Sequence, residues 1–174
     1  MKLKLLITKI WFRYLCPIWS VIPNLFFILT RIRRIPRELA AMRCAREYYR
    51  DENVDLPRRI AFFNLFLQNF EWREEAGDWR PWVITIHLRS LRDDCDGAAI
   101  LARWALRHMG EDARLVHLYP ATGWEGHMIC VCDRLRIIAS NGSLTQLQKA
   151  NAKANAITAR DLLTLFPAYA GVIS

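Results

Sequence analysis

Cys95 sits among carboxylates, in Asp93-Asp94-Cys95-Asp96-Gly97, and opens a run with helical spacing. A thiol at the first turn of a helix faces unpaired backbone N–H groups and the positive end of the helix dipole, which favours the nucleophilic thiolate. The same N–H groups help to hold an oxyanion. His127, in Gly126-His127-Met128, begins a later run with strand composition. A histidine brought opposite a thiol takes its proton and returns it to a leaving group. Ser140 and Asn141 end the next strand-like run and are the polar candidates to orient the imidazole, since such pairs work with a third partner. The chemistry expected of this set is acyl transfer through a thioester on Cys95.

Each residue also has a structural reading. Cys95 can be a packed thiol, and His127 a hydrogen-bonded strand histidine. Ser140-Asn141-Gly142 can be an ordinary turn, because Asn-Gly is a common turn dipeptide. Asp94 is expected as a helix N-cap, and Asp94 with Asp96 is a poor hard-cation site on its own. His87, His108 and His117 show no ligand spacing and are expected to serve structure or solvent. Trp124 either lines the cleft or covers it.

The elements that must position these groups follow from periodicity. Cys95, Ala98, Ala99, Ala102, Ala105, Leu106 and Met109 share one helical face, and Gly110 provides a left-handed cap. Ala113–Tyr119 reads as a strand. MICVC and LRIIAS form a hairpin across Asp133-Arg134. Upstream, Pro36 opens a helix, and RRIAFFNLFLQNFEWREE is a strongly amphipathic one that ends at Ala76-Gly77-Asp78. VITIHL (Val83–Leu88) has strand composition, with a surface-crossing loop or a short helix as alternatives. The tail holds two weak helices, QLQKANAKANA and ARDLLTLF.

With those elements in place, the sequence resembles the transglutaminase-like superfamily, and within it the bacterial transglutaminase-like cysteine proteinases with their papain-like Cys-His core. The resemblance rests on Asp94-Cys95-Asp96-Gly97-Ala98-Ala99, on Leu106-x-x-Met109-Gly110-x-x-Ala113-Arg114-Leu115-Val116, and on Gly126-His127-Met128. Asn69-Phe70-Glu71-Trp72 and Asp78-Trp79 are similar to the elements that precede the cysteine there. It implies a thiol hydrolase with Cys95 as nucleophile and His127 as base; no cofactor is expected, although some relatives hold calcium at the positions that Asp94 and Asp96 match. The sequence departs from the pattern in two places. Asp93 stands where a glycine is usual, and Ser140 stands at the position of the third catalytic aspartate. Serine cannot stabilise an imidazolium by charge, so either Asn141 orients the ring or activity is reduced or lost.

The whole chain sets wider bounds. Its 174 residues are 53% hydrophobic and 24% charged, which excludes a disordered or fibrous chain and allows one domain with a short appendage. Residues 1–50 hold 11 basic and 2 acidic residues, a net +9 against +8 for the whole chain. The remainder is close to neutral and lacks an interleaved basic–aromatic patch, so nucleic acid is not the expected partner. The five cysteines show neither CxxC nor zinc-finger spacing, and no disulfide framework is expected.

Residues 1–34 form a basic, hydrophobic segment. From Tyr14 to Thr30 no charge occurs, a length at the short limit for a bilayer span of about 20 residues. Pro17, Pro23 and Asn24 weaken such a span. Three readings stand: a membrane-embedded or interfacial anchor, a segment packed on its own domain or a partner, and a cleaved signal. Localisation is accordingly membrane-associated or cytoplasmic.

These readings converge on an α+β fold in which helices pack on a small antiparallel sheet, with residues 35–174 as the transglutaminase-like domain and the nucleophile at a helix N-terminus. The expected function is a cysteine hydrolase or acyltransferase acting on a peptide or amide bond, and the resemblance implies a protease more than a cross-linking enzyme. A non-catalytic binding or assembly module of the same fold is the alternative.

Overall fold

A computed structural model of the chain describes residues 6–7, 10–73, 80–120, 122, 126–147 and 156–173. Its centre is a five-stranded antiparallel sheet of β3 (Ala113–Pro120), β4 (His127–Cys132), β5 (Ile137–Ser140), β6 (Ser143–Gln146) and β7 (Tyr169–Ile173). The order is β6-β5-β4-β3-β7. Every residue of the central strand β4 is buried, which explains why MICVC reads as a continuous apolar run and not an alternating one.

The two faces of the sheet carry different layers. Met128, Cys130 and Cys132 look toward helix α6 (Cys95–His108) and join its core. Ile129 and Val131 look the other way, with Val116, Leu118 and Ile138, onto helix α7 (Ala159–Leu165). Helix α6 meets the sheet through Ala98, Ala99, Ala102 and Ala105, all buried, and small side chains let a helix lie close. Leu101 and Leu106, fully buried beside them, each contribute roughly 1.5–3 kcal/mol.

Helices α1 (Cys16–Trp19), α2 (Val21–Thr30), α3 (Ile35–Arg50), α4 (Leu56–Leu67) and α5 (Val83–Leu88) precede α6. Pro36 lies in the first turn of α3, and Asp55 caps α4 by accepting from the Arg58 N–H. The amphipathic run of α4 is shorter than its apolar pattern suggests, because Glu71–Trp72 forms β1, parallel to β2 (Arg92–Asp93).

Val83–Leu88 is a helix, against its strand composition, and Thr85, Ile86, His87 and Leu88 are all buried in it. It ends in two successive left-handed residues, Ser90 (φ 61°) and Leu91 (φ 60°), with the Leu91 N–H bonded to the Ile86 carbonyl at 3.0 Å. That corner feeds the chain into β2 and then into Cys95.

The tail differs from its expected pair of helices. ARDLLTL is helical, with a Thr158–Asp161 capping box, but Ser143–Gln146 and Tyr169–Ile173 are strands. Residues 148–155 of QLQKANAKANA, together with Ala76-Gly77-Asp78, Trp79 and Trp124, lie outside the described residues.

The N-terminal segment breaks into short pieces, with a π-helical turn at Trp11–Leu15 before α1 and α2. Among the described residues no helix is long and apolar enough to cross a membrane. Asn24 is fully buried. Its Nδ2 donates to the Arg80 carbonyl at 2.9 Å, and its Oδ1 accepts from the Trp82 N–H and the Thr85 hydroxyl, both at 2.7 Å. The segment is tied to the strand of chain that leads into α5.

Candidate active site

Local sequence fixes how Cys95 begins α6. The Asp94 carboxylate accepts from the Asp96 N–H at 2.9 Å and so caps the helix. Behind it Asp93 is fully buried. Its carboxyl accepts from the Asp94 N–H at 3.0 Å and from the Arg89 guanidinium at 2.9 Å. Gly97 is required by this arrangement, since an added Cβ would stand 2.5 Å from the Asp93 side chain. Asp93, the departure from the expected glycine, thus forms a buried brace under the helix start, with Arg89 as its counter-ion.

The Cys95 sulfur accepts a hydrogen bond from the Met128 N–H at 3.4 Å and lies 3.8 Å from an Asp96 carboxylate oxygen. Burial, then the negative charge of Asp96, push the thiol up to about 12, and the Met128 N–H opposes them only in part. The thiolate preference expected from the helix N-terminus is therefore outweighed. Desolvation and the adjacent carboxylate act on the full charge, whereas the helix end offers only a partial one.

His127 starts β4 and is buried. Its Nε2 lies 2.7 Å from the Ser140 hydroxyl. The ring stacks on Tyr169 at 6.0 Å between centroids and tilts against Phe166 at 5.8 Å. Burial lowers its pKa from the ordinary imidazole range, so the ring is neutral at pH 7. By strand alternation His127 falls with Ile129 and Val131, on the face covered by α7. Cys95 belongs to the helix on the other face and reaches the backbone of β4 at the amide that joins His127 to Met128. Thiol and imidazole are thus separated by one peptide of the central strand and are not hydrogen-bonded to each other. Nδ1 of His127 makes no hydrogen bond among the described residues.

The two candidate orienting residues separate. Ser140 meets the imidazole. Asn141 is exposed, with φ 45°, and forms with Gly142 (φ 78°) the tight turn between β5 and β6, the geometry that an Asn-Gly pair favours.

Asp94, Cys95 and Asp96 bring their ligand atoms within 4.8 Å of one another. Calcium takes about six to eight oxygens, whereas this set offers two carboxylates, one of them already a helix cap, and a soft thiol. On their own the described residues do not complete a calcium site.

The remaining histidines are held by local contacts. His108 Nδ1 pairs with the Trp104 carbonyl at 2.9 Å. His87 is buried with Nδ1 4.0 Å from Glu38, and burial lowers its pKa. His117 is buried against Gly126, where any side chain would collide with its ring.

Three contributors had little signal in the sequence: the Met128 N–H, Arg89, and the Phe166–Tyr169 pair. Only the last had any, as two aromatics in an otherwise weak tail.

The fold is similar to that of the calcium-bound LapG of Legionella pneumophila, with a TM-score of 0.53 and 11% identity over 80% of this chain and 76% of that one. At this identity the likeness is one of fold, a distant relationship that agrees with an α+β core of helices on an antiparallel sheet. No family profile and no curated protein matches the sequence.

Proposed function

We propose that this chain is a cysteine hydrolase or acyltransferase acting on a peptide or amide bond, closer to a protease than to a cross-linking enzyme, with Cys95 as nucleophile, His127 as general base and acid, and Ser140 as the positioning residue. One observation carries the reading. The helix-start thiol is held at the amide next to a histidine whose Nε2 is already committed to Ser140, which leaves Nδ1 for the thiol. The fold shared with LapG is compatible with it.

In the reaction, His127 Nδ1 removes the Cys95 proton as the sulfur bonds to the substrate carbonyl carbon. The Cys95 N–H, at the first helical position and without an intrahelical acceptor, donates to the oxyanion. The imidazolium returns its proton to the departing amine, leaving a thioester, and then activates water or a second amine to release the acyl group. Neutral thiol and neutral imidazole are the resting forms and lie to either side of β4, so proton transfer requires the His127 ring to turn about the first residue of the strand toward the sulfur. Calcium has no step here, since Asp94 and Asp96 do not complete a site for it.

Incubation with p-nitrophenyl acetate and intact-mass analysis tests this. One acetyl group should appear on Cys95, be absent in Cys95→Ala, and form about 100-fold or more slowly in His127→Ala. Equal acetylation of Cys44 and Cys95, unaffected by His127→Ala, would defeat it.

A second reading is favoured by the elevated thiol and by the missing thiol–imidazole hydrogen bond: a transglutaminase-like fold used as a binding or assembly module. Absence of any Cys95 acylation supports this reading.

A further inference from the structure

Helices α1 and α2 are amphipathic in the opposite sense to a helix on a water-soluble protein. In the usual case the apolar stripe faces the core and the polar one faces water. Here Cys16, Ser20 and Asn24, one helical turn apart, are the residues turned inward. Ser20 accepts the Arg80 N–H at 2.5 Å, and Asn24 spends both ends of its amide on the chain before α5. The outward stripe is apolar, with Ile18 (71% exposed), Ile22 (68%), Phe26 (60%) and Leu29 (66%), flanked by Trp19 and Leu25. Hydrogen bonds to the body fix this orientation, so the stripe cannot rotate inward without leaving buried amide groups unpaired.

Immediately after α2 come Arg31, Arg33, Arg34 and Arg37, with Glu38 as the local acidic residue. Glu38 is taken by Arg34 at 3.3 Å. Arg33 and Arg37 are exposed. An apolar stripe with arginines at one end suits the boundary between acyl chains and anionic headgroups. Exposed Tyr14 and Trp19 have the amphipathic rings that collect at that depth. Ten residues of α2 reach about 15 Å, half of a bilayer core, so the helix lies in the interface and does not span it. A second copy of the chain is the poorer occupant, because it would cover the apolar stripe without offering the exposed arginines the anionic groups that a charged bilayer presents beside it.

We propose that the outward face of α1–α2 and the adjoining arginines form a monotopic docking surface for an anionic lipid bilayer. The body hangs from it by Ser20 and Asn24 and so holds a fixed orientation toward the membrane. Docking of this kind does not depend on Cys95 being catalytic.

Vesicle flotation of the full chain tests it, with phosphatidylcholine alone and with added phosphatidylglycerol, alongside the oligomeric state by light scattering. The chain should float with phosphatidylglycerol vesicles, less so at high salt. Ile22→Glu with Phe26→Glu should abolish flotation, while near-ultraviolet circular dichroism shows the body still folded. Arg33→Gln and Arg37→Gln, both at exposed positions, should each weaken anionic-vesicle binding about fivefold and leave any neutral-vesicle binding unchanged. Wild-type chain that stays unbound to both vesicle types overturns the proposal. So does a dimer that the Ile22→Glu, Phe26→Glu variant dissolves, in the absence of vesicle binding.

Discussion

Nε2 of His127 and the hydroxyl of Ser140 lie 2.7 Å apart, joining the start of β4 to the end of β5. In the proposed mechanism this one bond decides which ring nitrogen remains for chemistry. It also puts a neutral oxygen where a carboxylate would stabilise an imidazolium by charge.

Ser140→Ala should therefore free the ring and lower acyl transfer to Cys95 about 10- to 100-fold, the scale of lost orientation. Ser140→Asp should raise the His127 pKa and the rate together, because an opposite charge favours the imidazolium. Histidine NMR titration alongside the acetylation rate reads both. A rate unchanged in both variants would show that Ser140 does not position the ring.

Asn141 makes a contrasting control. Its φ of 45° is left-handed, so Asn141→Gly should be nearly neutral in thermal melts. Asn141→Val should cost about 1–2 kcal/mol through strain. Neither should move the His127 titration. If Asn141→Gly shifts it, the ring is oriented from the turn after all.

The carboxylate beside the thiol gives a prediction of definite sign. Asp96 is the second cause, after burial, of the rise in the Cys95 pKa to about 12. Asp96→Asn removes that charge without removing bulk, so the pKa falls and more thiolate is present at any pH below it. Iodoacetamide should then modify Cys95 faster, by about tenfold if the thiol's pKa drops by about 1. Slower modification would mean that Asp96 assists the thiol.

His117 sets an acid limit on stability. Its burial, with Arg80 and His127 nearby, lowers its pKa from 6.5 to about 4. The unfolded chain binds this proton at higher pH than the folded one does. The contribution is complete above pH 6.5, and it is lost as pH falls toward 4. Its full size is on the order of 3 kcal/mol. Urea melts across that window should show the loss, and His117→Gln should flatten the dependence relative to wild type. Parallel curves would contradict this assignment.

Some of this architecture was legible in the amino-acid sequence. The alanine-lined face and the Gly110 cap specified α6 to within a residue, because small residues at helical spacing leave few other packings. The β4–β5 hairpin followed from two apolar runs around a turn. Val83–Leu88 misled because β-branched residues favour strands only weakly, and here the burial of Thr85, Ile86, His87 and Leu88 decided for helix. Tyr169–Ile173 gave no signal, since its strand exists through pairing with β3, far away in sequence. At the site, Cys95 and His127 could be named from their elements. The elevated thiol could not, because it comes from burial and from where the Asp96 side chain settles. The ring contacts of Phe166 and Tyr169 likewise depend on how α7 and β7 return across the sheet.

Whether His127 serves Cys95 as its base is read from the pH dependence of Cys95 acylation by p-nitrophenyl acetate, in wild type and in His127→Ala. With His127 as the base, the rate rises through its depressed pKa, below 6.5, to a plateau at neutral pH, and His127→Ala loses that limb. Identical profiles in the two proteins, rising only toward the thiol's own value near 12, would contradict it.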